Sequence, residues 1–203
     1  MKLTKHAHAC VVLEKDGHTL AIDAGAYTPT AAEAIASAEA VIITHDHPDH
    51  FDPALLTGDK PVYAPQSVID AIGHGTVLTP GETVEIAGFT VQTYGGKHAF
   101  IWGTAPDTDN VALLIDGALY HPGDSYDLPG VPVDTLLVPT SGPWWKLGEA
   151  IDFVRAIAPR RAIQIHELMA SDAGQGSSAS MLGEKGFGGV PFSILPVGES
   201  VEV

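Results

Sequence analysis

The chain contains one cysteine, Cys10, among 203 residues, so it can form no internal disulfide and suits a reducing compartment. Its place in "ACVVLE" marks a small buried strand residue, not a nucleophile. Positive charge is scarce as well: ten Lys and Arg stand against 25 Asp and Glu, a formal charge of −15. Such a balance repels a phosphate backbone and supplies no basic stripe, so nucleic acid is not expected as a partner. Long apolar runs are missing too. Nothing approaches the ~18 uninterrupted residues of a membrane span, and "MKLTKHAHAC" has no apolar leader core, so the expectation is a cytoplasmic protein without membrane contact. Charged residues make up 17% and hydrophobic ones 45%, enough for one sizeable core, and residues 1–203 read as a single domain.

Turn signals divide the rest into strands and helices. "ACVVLEKDGHTLAIDAG" is two apolar runs joined at Lys15-Asp16-Gly17, a β-hairpin whose second strand ends at Asp23. In "TAAEAIASAEA", Thr30 and Glu33 have capping-box spacing and predict a helix leading into the strand "AVIIT". "PVYA" follows as a strand and "QSVIDAI" as a short helix. The strand pair "ETVEIAGFTVQTYGG" turns at Ala-Gly, and "NVALLIDGALYH" turns at Asp116-Gly117. "VDTLLVPT" reads as a buried strand. "LGEAIDFVRAIAP" reads as a helix with Leu147, Ile151, Val154 and Ala158 along one face, stopped by Pro159. The strand "RAIQIH", a Gly/Ser-rich connection at 174–178 and an edge pair, "PFSIL" and "ESVEV", complete the reading. Hairpins alternating with strand–helix–strand units predict an α/β (α+β) fold, a two-sheet sandwich flanked by helices.

Ligand-type side chains are densest directly after "AVII", where "THDHPDHFD" spells H-x-H-x-D-H with His45, His47, Asp49 and His50. In an extended or turning backbone, positions two apart point to one side. His45 and His47 can therefore grip one ion while Asp49 and His50, past Pro48, turn toward a second. Three more candidates sit just past apolar strands: His98 after "FTVQTYGG", Asp124 after "ALYHPG", and His166 at the end of "RAIQI". Strand ends in layered α/β folds converge on a common crevice. Three His for one ion, and an Asp, two His and a shared Asp124 for the other, leave positions open for water, as a catalytic site requires. Histidine and carboxylate donors suit zinc foremost, with manganese or iron also accommodated.

"THDHPDHFD", the downstream His98, "HPGDS" and the terminal His166 together resemble the metallo-β-lactamase superfamily of hydrolases. Within it the chain is similar to short members of the L-ascorbate 6-phosphate lactonase-like group, from "KHAHACVVLE" and "IDAG" through "GESVEV". The resemblance implies a four-layer αββα sandwich and a binuclear centre with two divalent metal ions. His45, His47 and His98 would hold one, Asp49, His50 and His166 the other, with Asp124 bridging. It also implies hydrolysis of a small-molecule substrate by a metal-bridging hydroxide, which forms near neutral pH when two ions share a water. Asp49 would accept the proton as the intermediate collapses.

A small ester, lactone or amide is the expected substrate. A small or cyclic phosphodiester, a di-iron redox protein with a flavin partner, and a metal-binding protein without turnover are the alternatives. The lactonase's sugar-phosphate specificity does not carry over, because few cations lie near the motifs, chiefly Lys97 and Lys146, the latter a candidate substrate contact. His18 and His74 have no motif around them and read as ordinary hydrogen-bonded residues. His8 is a candidate for orienting a ligand or touching substrate, and His121 for contacting the centre or fixing the Asp124 loop. Asp23 resembles the family's buried aspartate behind the metal loop. Asp46 and Asp52 have the wrong phase and read as solvent-facing or helix-capping. Of Trp144 and Trp145, adjacent and unable to enter one core together, one lines the pocket or a homo-oligomer contact.

Overall fold

The computed structural model describes residues 1–103 and 108–203, which form two seven-stranded mixed sheets and four helices. The first sheet runs β14 (Ser200–Glu202), β1 (Lys2–Ala7), β2 (Cys10–Lys15), β3 (His18–Ile22), β4 (Ala40–Ile42), β5 (Val62–Ala64), β6 (Thr76–Val77). The second runs β13 (Phe192–Ser193), β12 (Arg161–Ile165), β11 (Thr135–Pro139), β10 (Leu119–His121), β9 (Asp109–Ile115), β8 (Phe89–Lys97), β7 (Thr83–Ile86). Each sheet is antiparallel where hairpins build it and parallel where helices connect the strands. In the first, β2 to β3 is a hairpin and β3, β4 and β5 are parallel; in the second, β7 to β10 are antiparallel and β10 to β13 parallel.

Strand sequences that are apolar throughout, such as "NVALLI", arise because both faces are covered. Val111, Leu113 and Ile115 of β9 meet Leu13, Ile22 and Ile42 in the core between the sheets, while Ala112 and Leu114 face the outer helical layer. On the other side Val41 and Ile43 join helices α1 (Ala31–Ser37) and α2 (Gln66–Ile72). Helices α3 (Leu147–Ile157) and α4 (Asp172–Leu182) cover the second sheet, completing the four layers expected. Among the described residues no helix is long and apolar enough to cross a membrane. Cys10 is fully buried, as its strand context implied.

Several expectations need correction. The Gly/Ser-rich stretch at 174–178 is helix, not connection: Ser171 caps it by accepting the Gly174 amide at 3.2 Å, and Leu182 is buried against α3 and β12, so capping and tertiary burial outweigh low propensity. "PFSIL" and "ESVEV" are edges of different sheets, β13 beside β12 and β14 beside β1, and do not pair with each other. Two strands, β1 and the two-residue β6, were not predicted at all. Thr30 stands at the start of α1 but makes no capping bond, because its hydroxyl pairs with His6 Nδ1 at 3.0 Å. The buried face of α3 centres on Ala150, Phe153 and Val154, and Ala158 ends the helix with φ +48.

Candidate metal centre

Strands β8 and β10 both run antiparallel to β9, and β10, β11 and β12 are parallel, so the carboxyl ends of all four open on one edge. His98 follows β8, Asp124 follows β10, and His166 follows β12. From the facing sheet, parallel β3 and β4 deliver Asp23 and the 44–50 loop to the same place. All seven residues proposed from the sequence meet there. His45, His47, His98 and Asp124 form one set, and Asp49, His50 and His166, with His8, form another. Within each set the ligand atoms lie within 4.8 Å of one another.

Gly25 is needed for the loop to seat: a Cβ there would lie 2.4 Å from the Asp49 backbone, and Ala26 N–H donates to Pro48 O at 2.8 Å. Gly123, at φ +61, lets the chain pass against Asn110, whose side chain accepts the Asp124 amide at 3.0 Å and donates to Pro122 O at 2.9 Å.

Hydrogen bonds behind the imidazoles assign their tautomers. Asp23, fully buried, accepts from Thr44 N–H, from the Thr44 hydroxyl and from His50 Nδ1, each at 2.8 Å. With its hydroxyl so committed, Thr44 Oγ1 accepts from His45 Nδ1 at 3.0 Å. His98 Nδ1 donates to Ala99 O. In their neutral forms His45, His50 and His98 thus turn free Nε2 lone pairs inward. These three nitrogens, with His166 Nε2 and Asp124 Oδ1, are five buried polar atoms that find no hydrogen-bond partner.

They are close without bonding. His166 Nε2 lies 3.0 Å and His98 Nε2 3.3 Å from Asp124 Oδ2, and His50 Nε2 3.1 Å from Oδ1, but the geometry is that of donors converging on a shared point. Buried acceptors left unpaired carry a desolvation cost, which a cation at their focus would offset. The donor set therefore fits divalent metal ions.

Charge reinforces the arrangement. Burial opposes the charge on Asp124, yet His50 and His166 hold its carboxyl well below the usual range. Burial likewise opposes Asp49, and the imidazoles of His166 and His8, at 3.2 and 3.0 Å, keep it ionised far into acid. Burial lowers His45 well below its ordinary value and lowers His47, leaving both neutral. His50 and His166 are raised despite burial, chiefly by Asp124. Without an ion, protons on these two balance the carboxylates; an ion would displace them.

The remaining candidates divide. His8 clusters with Asp49, His50 and His166, but Leu168 N–H points at its Nδ1 (3.4 Å), placing the proton on Nε2, which donates to Asp49 Oδ2 at 3.0 Å. It orients Asp49 and does not itself offer a lone pair. His121 donates from Nε2 to Ala9 O and accepts Gly123 N–H at Nδ1, both 3.1 Å, fixing the loop that carries Asp124. Trp144 Nε1 donates to Asp124 Oδ2 at 3.0 Å, whereas Trp145 turns away to Pro139 O.

Lys146 is not brought to the cluster: its ammonium pairs with Glu149 one helical turn on, and its side chain is 70% exposed. Asp52 caps a turn at Ala54, and Asp46 makes no ligand set. Two residues missed in the sequence, Lys5 and Glu167, form a buried ion pair beside His8 and His166. The alternation Leu3, Lys5, Ala7 along β1 was the available signal, since it places a lysine on the inward face.

An αββα sandwich with histidines and aspartates gathered at its strand ends is the architecture of the β-lactamase superfamily. The chain belongs to that family: residues 2–166 match the model of the β-lactamase superfamily domain. It is 37% identical over 187 residues to protein Rv0786c of Mycobacterium tuberculosis, covering 85% of this chain and 87% of that one. It is 31% identical over 137 residues to the UPF0173 metal-dependent hydrolase of Methanosphaerula palustris, 62% of this chain and 61% of that one. Among solved structures, Igni18, a metallo hydrolase of Ignicoccus hospitalis, superimposes with TM-score 0.75 at 19% identity over 98% of this chain and 97% of that one. CmlA, a diiron β-hydroxylase of Streptomyces venezuelae, does so at 0.71 and 14% identity, over 100% of this chain and 54% of its own. These two likenesses concern the fold.

Proposed function

We propose that residues 1–203 act as one hydrolase domain that cleaves a small ester, lactone or amide. His45, His47 and His98 would hold one divalent ion, Asp49, His50 and His166 a second, and Asp124 would lie between them. The observation that carries this reading is the set of five inward-facing, unpartnered buried atoms. Bound divalent ions supply a water of pKa about 7 and polarise the scissile carbonyl. The chain's own groups do the positioning: Asp23 and Thr44 aim His50 and His45, Trp144 fixes one oxygen of Asp124, and His8 holds Asp49. Asp49 takes the proton that passes to the leaving group.

The surroundings favour an apolar acyl or aryl portion. Tyr27, whose ring lies 5.6 Å from that of His8, Leu168 and Met169 beyond His166, and Phe100 and Trp102 beyond His98 are all exposed large hydrophobic residues. Of the two lysines noted near the motifs, Lys97 pairs with Asp109 at 2.9 Å and Lys146 with Glu149 at 2.6 Å, which does not favour a phosphorylated substrate.

The test is turnover of matched esters, lactones, anilides and aryl phosphodiesters by protein loaded with zinc, manganese or iron. Ester or lactone cleavage that rises with acyl length and with an apparent pKa near ~7 is expected. Turnover of the diesters alone would transfer the assignment to phosphodiester hydrolysis. Full metal loading with no turnover of any probe would leave a binding protein. The same donors suit iron, and reductant-dependent oxygen consumption by the iron form would point to redox chemistry like that named for CmlA.

A further inference from the structure

Lys5 and Glu167 are 1% and 8% exposed, and their charges meet at 2.9 and 3.0 Å inside the sandwich edge. Burying an ion pair costs desolvation on both sides, so its attraction alone is a poor account of its presence. What the pair does locally is specific. Lys5 Nζ donates to the carbonyl of His8 at 2.5 Å, and Glu167 Oε1 accepts the amide N–H of His8 at 2.8 Å. Both backbone polar groups of one residue are thus held by the two side chains of the pair.

His8 needs holding. It sits in the turn between β1 and β2 with φ +53, a left-handed conformation that a residue other than glycine enters only under constraint, and the β1–β2 register shifts between Lys5 and Ala7. His166, at φ +56, is tied into the same knot through its N–H to His8 O at 3.1 Å and its carbonyl to the Ser141 hydroxyl. The outcome of the strained turn is one side-chain contact, His8 Nε2 to Asp49 Oδ2 at 3.0 Å.

We infer that Lys5 and Glu167 are positioning residues for the second metal position, acting through the His8 turn on Asp49. This rests on the ligand assignment proposed above. Neither side chain reaches the first position of His45, His47 and His98, so the effect is confined to one ion.

The experiment is an equilibrium zinc titration against a competing chelator, applied to wild type, Lys5→Met, Glu167→Gln, the Lys5→Met/Glu167→Gln double variant, His8→Ala and Lys5→Met/His8→Ala. Glu167→Gln keeps the volume and an acceptor for the His8 amide, and the charge-free double variant leaves no lone buried ion, so at least one variant stays folded. Near-ultraviolet circular dichroism verifies it. Lys5→Met is expected to weaken one of two zinc ions by ~10- to 100-fold, the range for groups that orient metal ligands, and to leave the other unchanged. In the His8→Ala background it should add little, because both changes act through one residue. Wild-type affinity for both ions in the folded double variant would overturn the inference. So would a Lys5→Met loss that adds in full to that of His8→Ala, or one shared equally by both ions. A wild-type protein that never takes a second zinc would remove the ligand assignment and this inference together, whereas two tight sites with unmoved variants would remove the inference alone.

Discussion

Replacing Asp23 with Asn isolates the orientation of one ligand from its identity. The residue is nearly isosteric, and Asn tolerates the left-handed backbone at this position, φ +53, so the substitution adds no conformational strain. Its oxygen can still accept the Thr44 amide, but an NH2 then faces the Thr44 hydroxyl and His50 Nδ1–H, where a carboxylate oxygen accepted both at 2.8 Å. The hydroxyl can rotate. His50 cannot, and must shift its proton to Nε2, the atom that faces Asp124 at 3.1 Å and that the second ion needs. A hydrogen bond to a charged group contributes ~1.5–3 kcal/mol, and ~1.4 kcal/mol is a decade, so the second ion should bind roughly 10- to 100-fold more weakly. Losses at other groups that orient metal ligands fall in the same range. Zinc titration against a chelator measures the affinities, and nitrogen-resolved NMR of the His50 ring reads the tautomer directly. A folded Asp23→Asn protein holding both zinc ions at wild-type affinity, with the His50 proton still on Nδ1, would refute the reasoning.

Asp124→Ala is expected to lose the paired centre and nearly all hydrolysis, while His18→Ala and His74→Ala, whose rings pair with Glu39 and the Leu56 carbonyl, keep wild-type metal content by elemental analysis. Chelation should lower the melting temperature by about 5–10 °C per position held at 100 times its Kd, from ~2.7 kcal/mol at ~2–4 °C per kcal/mol; an unchanged curve after verified stripping would count against a preformed site. That gap should widen as the pH rises above 6.5. Asp124 raises His50 and His166 above their ordinary value of 6.5 in the stripped protein, so their contribution is present below that pH and is lost as pH rises through the folded values. Burial pushes the Cys10 thiol up to about 12, so an aromatic disulfide reagent at pH 8 should label it only after unfolding.

Reading from sequence succeeded where the signal was local and periodic. The turns at Asp16-Gly17, Ala87-Gly88 and Asp116-Gly117 all carry positive φ in the structure, and the apolar runs between them are strands. The ligand candidates were legible because each stands immediately after such a run. What failed depended on partners distant in the chain. Helix α4 has poor intrinsic propensity and is decided by packing on α3, and β14, legible as a strand, was given the wrong neighbour because its partner β1 lies nearly 200 positions away. Lys5 was passed over for the same reason. Without β1 there was no inward face on which to notice a charge, and Glu167, 162 positions away, carries no mark of its partner.

The centre takes the 44–50 loop and Asp23 from one sheet and His98, Asp124 and His166 from the other, so it exists only once the sheets have docked. An unfolded chain offers a metal little beyond the H-x-H-x-D-H stretch, whose four donors lie within six residues. The remaining ligands arrive by closing loops of about 50 to 120 residues, which is slow relative to local structure. Ions that clasp both sheets would therefore act after the rate-limiting step of folding. They would leave the folding rate nearly untouched and slow unfolding instead, so the centre would set the lifetime of the native molecule more than the speed of its assembly.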